Sequence, residues 1–149
     1  MANVLENKKV RLNYELLDTF EAGLDLRGFE VKALRARLGS LDGAHITVRG
    51  DEAYLIGMTI PPYQVANTPT SYDPMRNRRL LLNKKELAKL SSLESKRGLT
   101  IVPISVYNKG RNLKLSIAVA RGKKKYDKRE DLKKRDAKKD IERTLKNQY

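Results

Sequence analysis

The chain has 149 residues, with 32 Lys or Arg against 18 Asp or Glu and a formal net charge of +14. With no Cys and one His, it offers no disulfide, no thiolate metal site and no cysteine nucleophile. A charge of that size calls for an acidic partner, either nucleic acid or an anionic membrane surface.

Residues 1–120 read as one domain and residues 121–149 as a basic extension. The segment Met1 to Arg11 lacks the apolar stretch of a secretory signal, which suits a cytoplasmic protein. Tyr14 and Leu16, then Phe20, Ala22, Leu24 and Leu26, follow a period of two, with an irregularity at Leu17–Asp18. Val31, Leu34 and Leu38 share one face of a short helix that Gly39 ends. His45 stands at the entry to the next strand. Ile46 and Val48 alternate up to Arg49-Gly50-Asp51-Glu52, and Tyr54, Ile56, Met58 and Ile60 alternate beyond it, which predicts a hairpin.

Between Pro61 and Arg79 runs a long irregular loop, a feature that is often functional inside a compact domain. Asn83 caps a second helix with Glu86 three residues on, Leu87, Leu90 and Leu93 continue it, and Gly98 terminates it. A second hairpin pairs Val102, Ile104 and Val106 with Leu113, Leu115, Ile117 and Val119 across Asn108-Lys109-Gly110-Arg111. The fold expected is mainly β with short helices: a small antiparallel barrel of the oligonucleotide-binding type, with a basic C-terminal tail.

The tail carries 13 Lys or Arg against 6 Asp or Glu, and its apolar residues are only Tyr126, Leu132, Ala137, Ile141 and Leu145. Such a segment stays loose alone and orders against a polyanion. Glu130–Lys134, Asp131–Arg135 and Glu142–Lys146 are favourable helical pairs, each worth a few tenths of a kcal/mol. The tail lacks Trp, Phe and a broad apolar face, which favours nucleic acid over a membrane.

Chemistry-bearing residues are sparse. Glu15, Asp18, Glu21 and Asp25 lie close together in sequence, either as Mg²⁺ or acid–base carboxylates or as exposed balance for the Lys and Arg. No Gly-rich phosphate loop, nucleophile elbow or metal motif is present, so the reading is a non-enzyme without cofactor or metal. Glu21 and Asn7 have the groups that read base edges, and Tyr14 has a stacking face; structural roles are the alternative for each. Arg76, Arg78 and Arg79 either clamp backbone phosphates or lead into a buried segment. In the run Arg121-Gly122-Lys123-Lys124-Lys125-Tyr126-Asp127-Lys128-Arg129, Gly122 lets the chain turn and a tyrosine among cations can stack on a base, worth ~1–3 kcal/mol.

Taken in order, five stretches resemble the SsrA-binding protein family (small protein B). They are Asn7-Lys8-Lys9, Phe20 to Leu24, Gly28-Phe29-Glu30-Val31-Lys32-Ala33-Leu34-Arg35, Asp73-Pro74 through Asn83, and Ala120 through Arg129. The resemblance implies a monomeric barrel adaptor that binds the tRNA-like domain of transfer-messenger RNA and delivers it to stalled ribosomes in trans-translation. Asn7, Tyr14, Glu21 and Leu81 fall where the family contacts this RNA. Lys32, Arg35, Arg76 and Arg78 are counted with them as RNA-binding candidates. Arg121, Gly122, Lys123, Lys124, Tyr126, Asp127, Lys128 and Arg129 match the part that meets small-subunit RNA, with Tyr126 in the decoding centre and the following helix in the empty mRNA channel. The chain departs from the family at Leu12, Arg37 and His45; Arg37 stands where Gly is usual.

Overall fold

A computed structural model of the chain describes residues 3–123, 129 and 132–135. Seven strands form one antiparallel sheet: β1 Asn3–Glu6, β2 Tyr14–Leu24, β3 His45–Arg49, β4 Glu52–Ile56, β5 Arg78–Leu81, β6 Leu99–Lys109 and β7 Asn112–Gly122. Their order is β1-β6-β3-β4-β5-β2-β7, and β7 also pairs with β6. Strands β2 to β7 therefore close into the expected barrel, with β1 added along part of β6. Helices α1 Val10–Asn13, α2 Gly28–Arg35 and α3 Lys84–Glu94 accompany it. The sequence reading missed β1, α1 and the strand character of Arg78–Leu81.

The barrel interior is aliphatic: Ile46, Leu55, Leu80, Ile101, Val106, Leu115, Ile117 and Val119 are buried together, with Leu34 and Leu90 from the helices. A smaller cluster of Val10, Val102 and Ala120 lies under α1, which is why Ala120 is buried although its neighbour Val119 fills the interior.

Two strands depart from simple alternation, and the backbone explains both. In β4 the interior residues are Ala53 and Leu55, not the expected Tyr54 and Ile56. Gly57 at φ +86° then resets the phase, so that Met58 and Ile60 are buried after all. In β6 the register shifts between Pro103 and Ser105, placing Ile101 and Val106 on one face across an odd separation and leaving Ile104 half-buried. Proline donates no N–H to the ladder, and a bulge accommodates it. The irregularity expected at Leu17–Asp18 is present as a register shift between Leu16 and Thr19.

Strand β3 meets β6 at one paired position, Ile46 with Ile101. Helix α3 closes the gap beyond it. Its Glu94 accepts the Val48 N–H at 2.8 Å and the Thr47 hydroxyl at 3.1 Å. The start of α3 follows the expected cap, Asn83 Oδ1 accepting from the Glu86 N–H at 2.8 Å.

Helix α2 ends earlier than expected. Arg37 takes the left-handed position that closes the helix, at φ +62°, and Gly39 follows two residues on at φ +111°. The Leu38 N–H returns to Ala33 O at 3.0 Å and the Arg37 N–H to Leu34 O at 2.9 Å, a Schellman closure. A Cβ in that conformation costs roughly 1 kcal/mol. We expect Arg37→Gly to stabilise the domain by about 0.5–1 kcal/mol in urea denaturation; destabilisation would mean that the arginine side chain outweighs its backbone strain.

Candidate RNA interface

Two surface regions gather most of the predicted RNA-binding residues. The first lies on the outer face of β5, β2, β7 and β6. Gly23 of β2 pairs with Leu81 of β5 on one side and Lys114 of β7 on the other. A Cβ on Gly23 would meet the Leu81 Cβ at 3.1 Å, so glycine lets Leu81 lie over the strand. Leu81 stays 49% exposed, an apolar side chain set among cations. Leu81, Arg35, Arg111 and Lys114 line one cleft of about 290 Å³. Arg35 is held there by its bond to Arg111 O at 2.7 Å. Lys114 and Arg111 escaped the sequence reading; strand register alone puts Lys114 beside Gly23.

Two residues along β2, Glu21 sits on the same face. Its carboxylate accepts from the Tyr107 hydroxyl through one oxygen and from Lys109 Nζ at 2.9 Å through the other. The Tyr107 hydrogen bond and then the Lys109 bond hold the Glu21 carboxyl below the usual glutamate value. Burial, then the hydrogen bond to Glu21, pushes the Tyr107 phenol up to about 12. Glu21 is thus ionised and Tyr107 a fixed donor.

The second region is a cleft of about 440 Å³ lined by Asn7, Tyr14, His45 and Lys9 among others. Asn7 spends its amide N–H on Pro103 O at 3.0 Å and its backbone N–H on Ile104 O at 2.8 Å, satisfying the bulge in β6. Tyr14 opens β2, half-buried against Val10, Val102 and Ala120. His45 begins β3 and is exposed. Both Asn7 and Tyr14 therefore have structural work, and both also face the cleft.

Lys32 is exposed on α2. Arg78 is not available to RNA. Its side chain is 0% exposed and ion-paired at 2.8 Å with Glu30, itself 0% exposed. It also donates to Met58 O at 2.8 Å and Pro74 O at 2.9 Å. A phosphate clamp at Arg78 is excluded by burial, and Arg76 turns inward too, its guanidinium bonded to Glu30. Tyr72 completes the cluster, its hydroxyl 3.0 Å from Glu30 and 2.8 Å from Ile60 O. Burial alone would raise the Glu30 carboxyl, but the Arg76 and Arg27 hydrogen bonds and the Arg78 charge outweigh it and hold it low. The cluster staples the Pro61–Arg79 loop to α2. The sequence signal was Glu30 at the third helical position, where its carboxylate takes the Arg27 N–H at 2.8 Å.

At the tail, β7 runs through Gly122, two residues past the boundary expected at 120, with Arg121 opposite Glu15 and Gly122 opposite Tyr14. The Lys123 N–H bonds Asn13 O at 2.9 Å. Arg129 has helical backbone, as do residues 132–135. Lys124, Tyr126, Asp127 and Lys128 lie outside the described residues, and so does the expected looseness of the tail.

Residues 4–147 match the family model described as "SmpB protein". The chain belongs to the SmpB family. Among its relatives, the "SsrA-binding protein" of Chloroflexus aggregans is 44% identical over 98% of this chain and 92% of that one. The protein of the same name from Gloeobacter violaceus is 45% identical over 95% of this chain and 93% of its own. A solved structure described as "tmRNA-SmpB: a journey to the center of the bacterial ribosome" is similar with a TM-score of 0.69 and 39% identity, covering 88% of this chain and 95% of that one. The SmpB match spans both the barrel and the basic extension.

Proposed function

We propose that this member of the SmpB family is an RNA-binding adaptor for trans-translation. Its barrel holds the tRNA-like domain of transfer-messenger RNA and brings it to ribosomes stalled on truncated messages, in the cytoplasm. Its tail, from Lys123 onward, meets small-subunit RNA, with Tyr126 at the decoding centre and the helix after it in the vacant mRNA channel. The observation that carries this reading is the match to SsrA-binding proteins along nearly the whole chain, barrel and tail together. The outer face supports it physically: an apolar contact (Leu81), an ionised acceptor (Glu21) and flanking cations (Arg35, Arg111, Lys114) are what an irregular RNA surface requires. The protein works as a positioning partner, with no reaction assigned to its own side chains.

The test is affinity for transfer-messenger RNA and for unfractionated tRNA, side by side at physiological salt. We expect a preference of about tenfold or more for the former, and log affinity falling with log salt by roughly 0.7–0.9 per phosphate neutralised. Equal binding would reduce the protein to a general ribosome-associated RNA binder. Cleavage of labelled RNA in Mg²⁺ would instead indicate a ribonuclease.

A further inference from the structure

The two oxygens of Glu21 are held by groups of very different character. Oε2 accepts from Tyr107, which is 8% exposed and anchored in the middle of the sheet. Oε1 accepts from Lys109, whose side chain is 54% exposed at the start of the β6–β7 turn. Strand geometry explains why Tyr107 is the partner. Strand β7 lies between β2 and β6, so Glu21 and Tyr107 must meet over an intervening strand, and neighbouring strands stand about 4.8 Å apart. Glu21 is opposite Ser116, and Tyr107 is opposite Lys114, two residues along β7 on the same face. Ser116 is small enough to leave the crossing open, and a tyrosine is long enough to span it. A phenol on a stiff ring loses little freedom in making that bond, whereas a lysine on a flexible stem loses much.

We propose that Tyr107 is the positioning residue of the RNA site and that Lys109 is a displaceable occupant of it. Tyr107 fixes one oxygen of Glu21 so that the other points outward in a set orientation. Lys109 holds that outward oxygen in the free protein. When an amino or imino group of an RNA base arrives, it replaces Lys109 as the donor to Oε1, and the released ammonium moves to a neighbouring phosphate. The carboxylate thereby avoids being bare in either state, which matters because an unpaired charge in a contact region is costly. The Lys114 ammonium, which also bears on Glu21, stays on the face as a second cation. This inference rests on the adaptor reading above and assigns its specificity to one carboxylate oxygen.

The experiment is a double-mutant cycle on full-length protein, with affinity for the isolated tRNA-like domain of transfer-messenger RNA measured across a salt series. Tyr107→Phe keeps the ring and removes the donor. Alone it should weaken binding about tenfold without changing the salt slope, because no phosphate contact is lost. In the Glu21→Ala background the same change should have almost no effect, since Tyr107 acts only through the carboxylate. Additive losses, with Tyr107→Phe costing the same in both backgrounds, would overturn the positioning role. Lys109→Met should lower the salt slope by about one phosphate equivalent while leaving the preference over bulk tRNA intact. An unchanged slope would overturn the displacement step. Should Tyr107→Phe fail to fold, Ser116→Leu, which fills the crossing between Glu21 and Tyr107, takes its place in the same cycle with the same expected pattern. If wild-type protein itself lacks preference for transfer-messenger RNA, the adaptor reading fails; if it prefers that RNA and the cycle is additive, only the positioning of Glu21 fails.

Discussion

Replacing Glu30 with Ala should destabilise the domain by about 3–5 kcal/mol, a large part of the ~5–15 kcal/mol that holds a domain of this kind together. The reason is the company Glu30 keeps. Arg78 is fully buried, and Glu30 is the carboxylate that meets it, while Arg76 donates to the same group. Removing the anion leaves a buried guanidinium whose charge is uncompensated, and its remaining partners, the carbonyls of Met58, Arg76 and Pro74 and the Tyr72 hydroxyl, are all neutral. Glu30→Gln keeps an acceptor and loses the charge, so its effect should be smaller than that of Ala but in the same direction. Urea denaturation followed by circular dichroism measures both, and a loss under about 1 kcal/mol for Ala would mean that water reaches the cluster.

The same cluster sets an acid limit. The folded Glu30 carboxyl lies below its ordinary value of 4.5, so its contribution is fully present above that pH and is lost as pH falls through the lower folded value. Between about pH 6 and about pH 3 the wild-type midpoint should therefore drop further than that of Glu30→Gln. Glu21 and Glu52 shift in the same direction, which is why the comparison with the variant, not the wild-type slope alone, isolates Glu30.

These residues show where sequence reasoning reached and where it stopped. The β6–β7 hairpin was legible because Leu113, Leu115, Ile117 and Val119 alternate without interruption and the turn residues sit where expected. The cap at Asn83 was legible because capping is local. The inward turn of Arg78 was not, because its cause is Glu30, 48 residues away, and nothing in a basic loop distinguishes an arginine that binds phosphate from one that binds a distant carboxylate. The phase of β4 failed for a local reason of another kind: Gly57 at positive φ inserts a break that a period-two pattern cannot represent. On the outer face, Glu21 and Leu81 were named as single residues. What the sequence could not supply was Tyr107 reaching Glu21 over β7, since that contact depends on which strands are neighbours and in which register.

Ending the chain before Tyr126 should leave RNA binding by the barrel nearly intact and abolish tagging on stalled ribosomes. The strands of the barrel and its described core all lie before the cut. Strand β7 finishes at Gly122, and the last described backbone tie of this region is the Lys123 N–H to Asn13 O. Glu21, Leu81, Arg35 and Lys114 all lie within the retained residues. Some long-range attraction goes with the lost Lys and Arg, so affinity should fall no more than a few-fold at physiological salt, where charges beyond about 8 Å are largely screened. The consequence on the ribosome is of another order. On the function proposed above, a cationic segment with few apolar residues would obtain its ordering energy from phosphate contacts along an RNA-lined channel, and only where no message already fills that channel. Without that contact, a bound transfer-messenger RNA has nothing to report that the site is vacant. The measurement is tag incorporation on ribosomes stalled at the end of a truncated message, alongside the affinity of the same protein for the tRNA-like domain. Normal tagging by the truncated protein would separate the tail from the function. Loss of both activities would show that barrel and tail bind RNA as one surface, with the tie at Asn13 as its joint.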